Sequence, residues 1–244
     1  MQTPIGSTIH TLSHWLSDRG SRLPWRARWT FIGLPPRCLF CDDEGDLGPI
    51  DLCLSCLEGL PWDTEFDSSS STYAALTFRD PIDAALKALK YRGDRRVARL
   101  LGGLLAAAAH HWEMPDVLIP VPLHAERVCS RGFNQSWLLA KHAGDWLDRP
   151  VRRSWVSRTR ATPSQTSLHA AERRRNVEGA FVVSPYAHEE IESLGVRRVA
   201  LVDDVVTTGA TLDAVRNALL EAGVSSVQRW AIARAMPKNS TMPT

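Results

Sequence analysis

The chain has 244 residues, with 29 Lys and Arg against 27 Asp and Glu and a formal net charge of +2; hydrophobic residues make up 44% and charged ones 23%. This is ordinary globular composition, which excludes a disordered chain, fits one large domain with room for a small appendage, and argues against wholesale coating of nucleic acid. The longest apolar run, Leu100 to Ala109, is ten residues long and holds two glycines, where a bilayer span needs about 20 apolar residues.

Residues 1–7 lack a basic stretch followed by an apolar one, so no signal peptide is expected and the chain is placed in the cytoplasm. Residues 1–36 are expected to be an anchoring segment. Within it, Arg22 to Trp29 mixes cations with tryptophan, which suits either packing on the main domain or contact with a phosphate or base. Cys38-Leu-Phe-Cys41 and Cys53-Leu-Ser-Cys56 follow, two Cys-x-x-Cys pairs separated by eleven residues. Two such knuckles bring four thiolates together, so residues 37–60 are read as a closed, structural zinc site. Disulfides and a redox dithiol are the competing readings; a reducing compartment opposes the first, and the second needs no second pair. Cys129 stands apart and reads as a small core or loop residue.

Residues 61–72, polar with four consecutive serines, read as a linker. The main domain, 73–236, begins with a strand over Tyr73–Phe78. Asp80 and Pro81 read as N-cap and first turn of a helix whose face is Ile82, Leu86 and Leu89. A helix over Arg95–Trp112, a buried strand over Asp116–Val121 and a helix over Asn134–Leu147 come next. Trp155–Arg158, Phe181–Ser184 and Val199–Asp203 are expected strands. A helix over Ala210–Ala222 closed by Gly223 and a strand over Val227–Ala235 complete the domain, and 237–244 read as a disordered tail. Helices alternating with apolar strands indicate an α/β fold with a parallel sheet.

The strongest chemical signal is Val199-Ala-Leu-Val-Asp-Asp-Val-Val-Thr-Thr-Gly-Ala-Thr-Leu212. An apolar strand runs into two adjacent acids, Asp203 and Asp204, and a small-residue loop then opens a helix. Ligands of parallel α/β sheets sit beyond the carboxyl ends of the strands. Backbone N–H groups and hydroxyls of Thr207, Thr208, Gly209, Ala210 and Thr211 can therefore wrap a phosphate at a helix N-terminus. Two carboxylates beside such a cradle would repel a bare polyphosphate; they suit ribose hydroxyls or a magnesium ion. No lysine follows the glycine, which excludes a Walker loop.

This segment resembles the ribose 5-phosphate signature of the type I phosphoribosyltransferases, which bind phosphoribosyl pyrophosphate (PRPP) with magnesium. The resemblance implies that Asp203 and Asp204, the catalytic candidates, hold the ribose while Thr207 to Thr211 hold the 5-phosphate. Further blocks are similar to the ComF/GntX family: Ala85 to Asp94, Ile119 to His124, Arg127 through Arg131-Gly-Phe-Asn-Gln-Ser136, Arg158-Thr-Arg160, Thr162 to Gln165, Glu172-Arg173, Asn176-Val177 and Gly179-Ala-Phe181. The four-cysteine box belongs to the same pattern, so the resemblance spans about Cys38 to Arg234. It implies a type I phosphoribosyltransferase-like parallel sheet with an N-terminal zinc knuckle, and a link to natural transformation and the use of external DNA.

The same resemblance implies that the loop after an early strand grips the pyrophosphate, which makes Pro122 to Asn134 the candidate, with Arg127 and Arg131 supplying charge. From Arg149 to Glu178 eight arginines face two glutamates, a local charge of +6. Arg158 and Arg160 are its best phosphate contacts, and Gln165 a plausible tip contact. The stretch suits a loop closing over a reacting centre, or a track for a nucleic-acid backbone. Two readings result. One is a phosphoribosyltransferase acting on PRPP with an unassigned acceptor. The other is a non-catalytic module that holds single-stranded DNA or a nucleotide and docks a DNA-uptake partner such as a helicase.

Overall fold

A computed structural model describes residues 15, 16, 18, 19, 37–44, 50–63, 72–160, 177 and 179–235. Residues 22–29, Gln165, Arg173 to Arg175 and the tail 237–244 lie outside the described residues.

Four strands form a fully parallel sheet: β1 (Thr72–Thr77), β2 (Val117–Pro120), β5 (Arg198–Val206) and β6 (Ser226–Arg234), in the spatial order β1-β6-β5-β2. The expected α/β class with a parallel sheet is therefore what the chain adopts. Side chains alternate across it, and both faces are covered. Leu118, Ala200, Val202, Trp230 and Ile232 share one buried cluster with α2 (Ile82–Arg92), α3 (Arg95–Ala109) and α5 (Gln135–Leu147). Val117, Ile119, Val199, Leu201 and Ala231 share the other with α6 (Pro185–Ser193) and α7 (Ala210–Glu221). Burial on both faces explains why these strands read as continuous apolar runs.

Two expected strands lie elsewhere. β3 (Val156–Arg158) and β4 (Phe181–Val183) pair antiparallel in a ribbon of their own. At three residues each they are too short to show a period, so nothing in the sequence separates them from the main sheet. The expected loop Pro122–Asn134 contains a helix, α4 (Ala125–Arg131); the His124 side chain caps its start and Gly132, at φ +82°, ends it. Asp80 does not cap α2, because Pro81 takes the cap position with no side-chain bond and follows a cis peptide. α6 was not expected; Ser184 caps it and Pro185 opens it, a pairing suited to a helix start.

The N-terminal part joins the same core. Ile50, Leu52, Leu60 and, on α1 (Leu54–Glu58), Leu57 are buried in the cluster of α2, α3 and α5. Trp15 stacks on Trp146 and His110, and Leu16 is buried beside them. Pro61 accepts a backbone hydrogen bond from Thr77 at 2.7 Å, and Asp63 pairs with Arg234 at 2.8 Å.

Candidate functional site

The site is built at the carboxyl end of β5, where α5 begins. Asn134 fixes that beginning: its Oδ1 accepts from the backbone N–H groups of Ser136 (2.9 Å) and Trp137 (3.3 Å), while Nδ2 donates to the Val121 carbonyl at 3.0 Å. The first turn of α5 is thereby held over the ends of β2 and β5. Ser136 Oγ donates to Asp203 Oδ1 at 2.9 Å, and Gln135 Nε2 to Asp204 Oδ1 at 3.4 Å. Lys90, on α2, forms an ion pair with Asp204 Oδ2.

The two acids differ. Asp204 is buried, whereas Asp203 is half-buried. Burial and then the Asp204 charge push the Asp203 carboxyl from 3.8 up to about 7, opposed by hydrogen bonds from the Asp204 N–H and the Ser136 hydroxyl. Arg158, on β3, is held below its ordinary value by burial and by the Arg127 charge, with Asp203 acting the other way. Arg158 thus sits within electrostatic reach of both Arg127 and Asp203. Arg131 turns inward and donates to Gln135 Oε1 at 2.6 Å. Arg160 is exposed beyond the end of β3.

Beyond Asp204 the strand continues to Val206, and the chain then turns through Thr207 to Gly209 into α7. Gly209 has φ +76°, a left-handed conformation open to glycine without strain. Side chains of Asp94, His124, Asn134 and Ser184 cap α3, α4, α5 and α6, whereas α7, like α2, has an N-cap residue that makes no side-chain bond, here Gly209. Thr208 Oγ1 instead accepts from the Ala210 N–H at 3.5 Å, and the helix N-terminus stands beside Thr207 and Thr208, at the kind of end that favours anions.

The four cysteines form a separate cluster. Their sulfur atoms all lie within 4.8 Å of one another, and Cys41 Sγ is 3.7 Å from Cys53 Sγ. Around a tetrahedral ion with metal–sulfur bonds of about 2.3 Å, sulfurs stand about 3.8 Å apart, so the cluster is the right size for a metal. Its electrostatics fit as well. Burial opposes ionisation of Cys38, but backbone hydrogen bonds from Cys41, Cys53 and Phe40 outweigh it and lower the thiol to about 6. Burial and the neighbouring sulfurs push Cys56 well up, and Cys41 is raised to about 11, mainly by its bond with Cys38 against an opposing backbone bond from Asp43. Such a cluster ionises fully only around a cation.

Of the residues expected from sequence, Asp203 and Asp204 are adjacent on β5, and Arg158 lies within electrostatic reach of Asp203 and of Arg127. Sequence reasoning missed Lys90, Gln135 and Ser136, whose side chains contact the acid pair. The available signal for Lys90 was its place at the edge of the apolar stripe of Ile82, Leu86 and Leu89.

The chain is 38% identical over 162 residues to competence protein F of Haemophilus influenzae, covering 64% of this chain and 69% of that protein. It belongs to the ComF family. Within the family, it is 35% identical over 165 residues to DNA utilization protein YhgH of Escherichia coli O157:H7, covering 65% of this chain and 70% of the relative. It is 27% identical over 254 residues to competence protein ComFC of Bacillus subtilis, covering 96% of this chain and all of the relative. No family model matches the chain. Among solved structures, TT1426 from Thermus thermophilus is similar at 16% identity and TM-score 0.34, covering 59% of this chain and 86% of that one. A purine phosphoribosyltransferase from Pyrococcus horikoshii is similar at 16% identity and TM-score 0.27, covering 71% and 97%.

Proposed function

We propose that this ComF-family protein binds PRPP, accompanied by magnesium, at the carboxyl end of β5, and serves the uptake or use of external DNA in the cytoplasm. One observation carries the reading: an acid pair, anchored by the first turn of α5, stands on the strand whose small-residue loop, Thr207 to Gly209, opens directly into the N-terminus of α7. The acid pair would receive the ribose hydroxyls, and Thr207 to Thr211 the 5-phosphate. Arg158, within electrostatic reach of Asp203 and of Arg127, would meet the pyrophosphate together with Arg127, with Arg131 and Arg160 as further candidates. Reaction at such a site would break the C1–oxygen bond to pyrophosphate as an acceptor nitrogen forms its bond to C1. The preorganised charges would stabilise both ends of the displacement. The four-cysteine cluster would hold zinc, with all positions taken by protein and none left for chemistry.

The names of the relatives, which speak of competence and of DNA utilization, support the DNA context. They also favour a second reading, in which the protein binds single-stranded DNA without turnover, using the arginines between Arg149 and Glu178, and docks a DNA-uptake helicase. Calorimetry with PRPP and magnesium on wild type and on an Asp203→Asn/Asp204→Asn variant separates the two. Saturable binding lost in a folded variant is the expected result. A folded wild type that takes up no PRPP sinks the first reading; binding of an oligonucleotide with a steep salt dependence then supports the second.

A further inference from the structure

We infer that the corner between α2 and α3, from Tyr91 to Arg96, is a docking surface for single-stranded nucleic acid: the Tyr91 ring stacks on a base while Arg92, Arg95 and Arg96 meet the backbone phosphates. The surface lies outside the ribose-phosphate pocket and does not depend on turnover there. It shares with the second reading above only the class of partner, a single strand, and it places that strand on residues other than those between Arg149 and Glu178.

The run Lys90-Tyr-Arg-Gly-Asp-Arg-Arg96 holds four cations, one acid and one aromatic ring. Gly93, at φ +64°, ends α2 in the left-handed region and lets the chain reverse. Asp94 then caps α3, its Oδ1 accepting from the N–H groups of Arg96 at 2.9 Å and Val97 at 3.3 Å. The one acid of the corner is thus committed to the cap, and Lys90 is committed to Asp204. What remains faces water. Tyr91 is 80% exposed, Arg92, Arg95 and Arg96 are exposed, and among the described residues no ion pair holds any of the three guanidinium groups. The described arginines of the stretch from Arg149 are less available: Arg152 pairs with Glu190 at 3.3 Å, Arg153 lies over the Trp137 ring and Arg158 over Phe181.

Two features of the corner run against stability. The first turn of α3 carries no acid and two arginines, although the partial positive charge of a helix N-terminus favours acids. A tyrosine ring left in water also forgoes the burial that stabilises a fold. Local rules broken together, with no contact in return, mark a surface kept for a ligand. Three unpaired cations around an exposed ring match a single strand, which offers both phosphates and unstacked base faces. A duplex hides those faces, and an acidic peptide would leave the ring unused. The corner is also firmly seated. A Cβ at Gly93 would stand 3.3 Å from Phe133 Cε1, so the Phe133 ring closes against the turn, and Phe133 leads into Asn134, which fixes the start of α5. A strand docked here lies beside the mouth of the ribose-phosphate pocket.

The test is fluorescence anisotropy of a labelled oligothymidylate titrated with the full chain over a series of salt concentrations. Tyr91→Ala should weaken binding about tenfold with the salt dependence unchanged, and Tyr91→Phe should keep the wild-type affinity, because the ring and not the hydroxyl makes the contact. Arg92→Gln/Arg95→Gln/Arg96→Gln should also lose about tenfold or more, and should lower the slope of log affinity against log salt by about 2, the value for three phosphates of a single strand. Both variants should keep the wild-type urea midpoint and the wild-type affinity for PRPP with magnesium, since the four side chains are exposed outside the pocket. If neither variant weakens oligothymidylate binding while Arg152→Gln/Arg153→Gln does, the surface is overturned and the single-strand reading stands. A wild type that binds no oligothymidylate overturns both. Poly-glutamate bound as tightly as the oligonucleotide, with Tyr91→Ala weakening neither, makes the corner a general polyanion patch and overturns its assignment to nucleic acid.

Discussion

At the scale of single residues, Asp203 makes stability and ligand binding depend on pH in opposite senses. Folded Asp203 keeps its proton up to about pH 7, whereas an unfolded aspartate releases it near 3.8. The folded state binds the extra proton between those values, so this contribution to stability is full below the unfolded value and is lost as pH rises to about 7. Each unit of pKa difference is worth about 1.4 kcal/mol. Urea denaturation of Asp203→Asn across this range should show a flatter pH profile than wild type; an unchanged slope would place the titration elsewhere. A carboxylate accepts hydroxyl donors better than a carboxylic acid, so PRPP affinity should rise through the same window and level off above it. The acids and the loop were legible in sequence because the signal is packed into the contiguous residues Val199 to Leu212. The groups that set their charge were not. Lys87 and Lys90 look alike in Ala85-Leu-Lys-Ala-Leu-Lys90, yet Lys87 pairs with its helix neighbour Asp83 at 3.0 Å while Lys90 reaches across to β5. Only the tertiary placement of α2 distinguishes them.

At the scale of elements, the apolar run with two glycines became α3, and the glycines lie where that helix meets its neighbours. A Cβ at Gly102 would stand 2.5 Å from His142 Cβ and 3.1 Å from the Leu139 carbonyl oxygen, both on α5. A Cβ at Gly103 would stand 2.7 Å from Ile50 Cγ2. In an exposed helix, Gly→Ala gains about 1 kcal/mol in propensity. Here it must push apart two helices whose nearest atoms include backbone, and overpacking costs about 1–3 kcal/mol. Gly102→Ala should therefore be destabilising overall, by roughly 1–2 kcal/mol in urea denaturation; a stabilised variant would contradict this contact. The run's length excluded a membrane span, and no helix among the described residues is long and apolar enough to cross one. Sequence could not show why the glycines were there, since a close helix crossing leaves no local pattern. The parallel strands were legible for the opposite reason: burial on both faces writes itself into consecutive residues, as in Val117-Leu-Ile-Pro120. Short elements such as α4 and the β3–β4 ribbon carry too few residues for a period to appear.

At the scale of the whole molecule, the cysteine cluster and the parallel sheet share one hydrophobic core. Cys38 is itself buried in the cluster that contains Leu100, Leu101, Leu104 and Trp146, and Ile50 sits against Gly103. Asp51 adds an ion pair to Arg99 on α3. A metal ion among the four sulfurs would therefore brace more than its own short segment, because the residues that flank it form the outer wall of the α2, α3 and α5 layer. That layer also carries Lys90, Gln135 and Ser136, so loosening it would reach the acid pair. Chelation of protein purified with its metal should lower the thermal midpoint of the whole chain in a single transition and raise hydrogen exchange in α3. Cys53→Ser should do the same, since it removes both a ligand and the cap whose sulfur accepts from the Cys56 N–H at 3.4 Å. Zinc should be recovered at one equivalent per chain. Two separate transitions, with the later one unmoved by chelator, would mean that the knuckle melts alone and that the shared core does not couple it to the sheet. A single shifted transition would mean that metal occupancy is communicated to the site through α3 and α5 packing, a linkage that follows from burying Ile50, Leu52 and Leu57 in the same cluster as Leu139 and Val202.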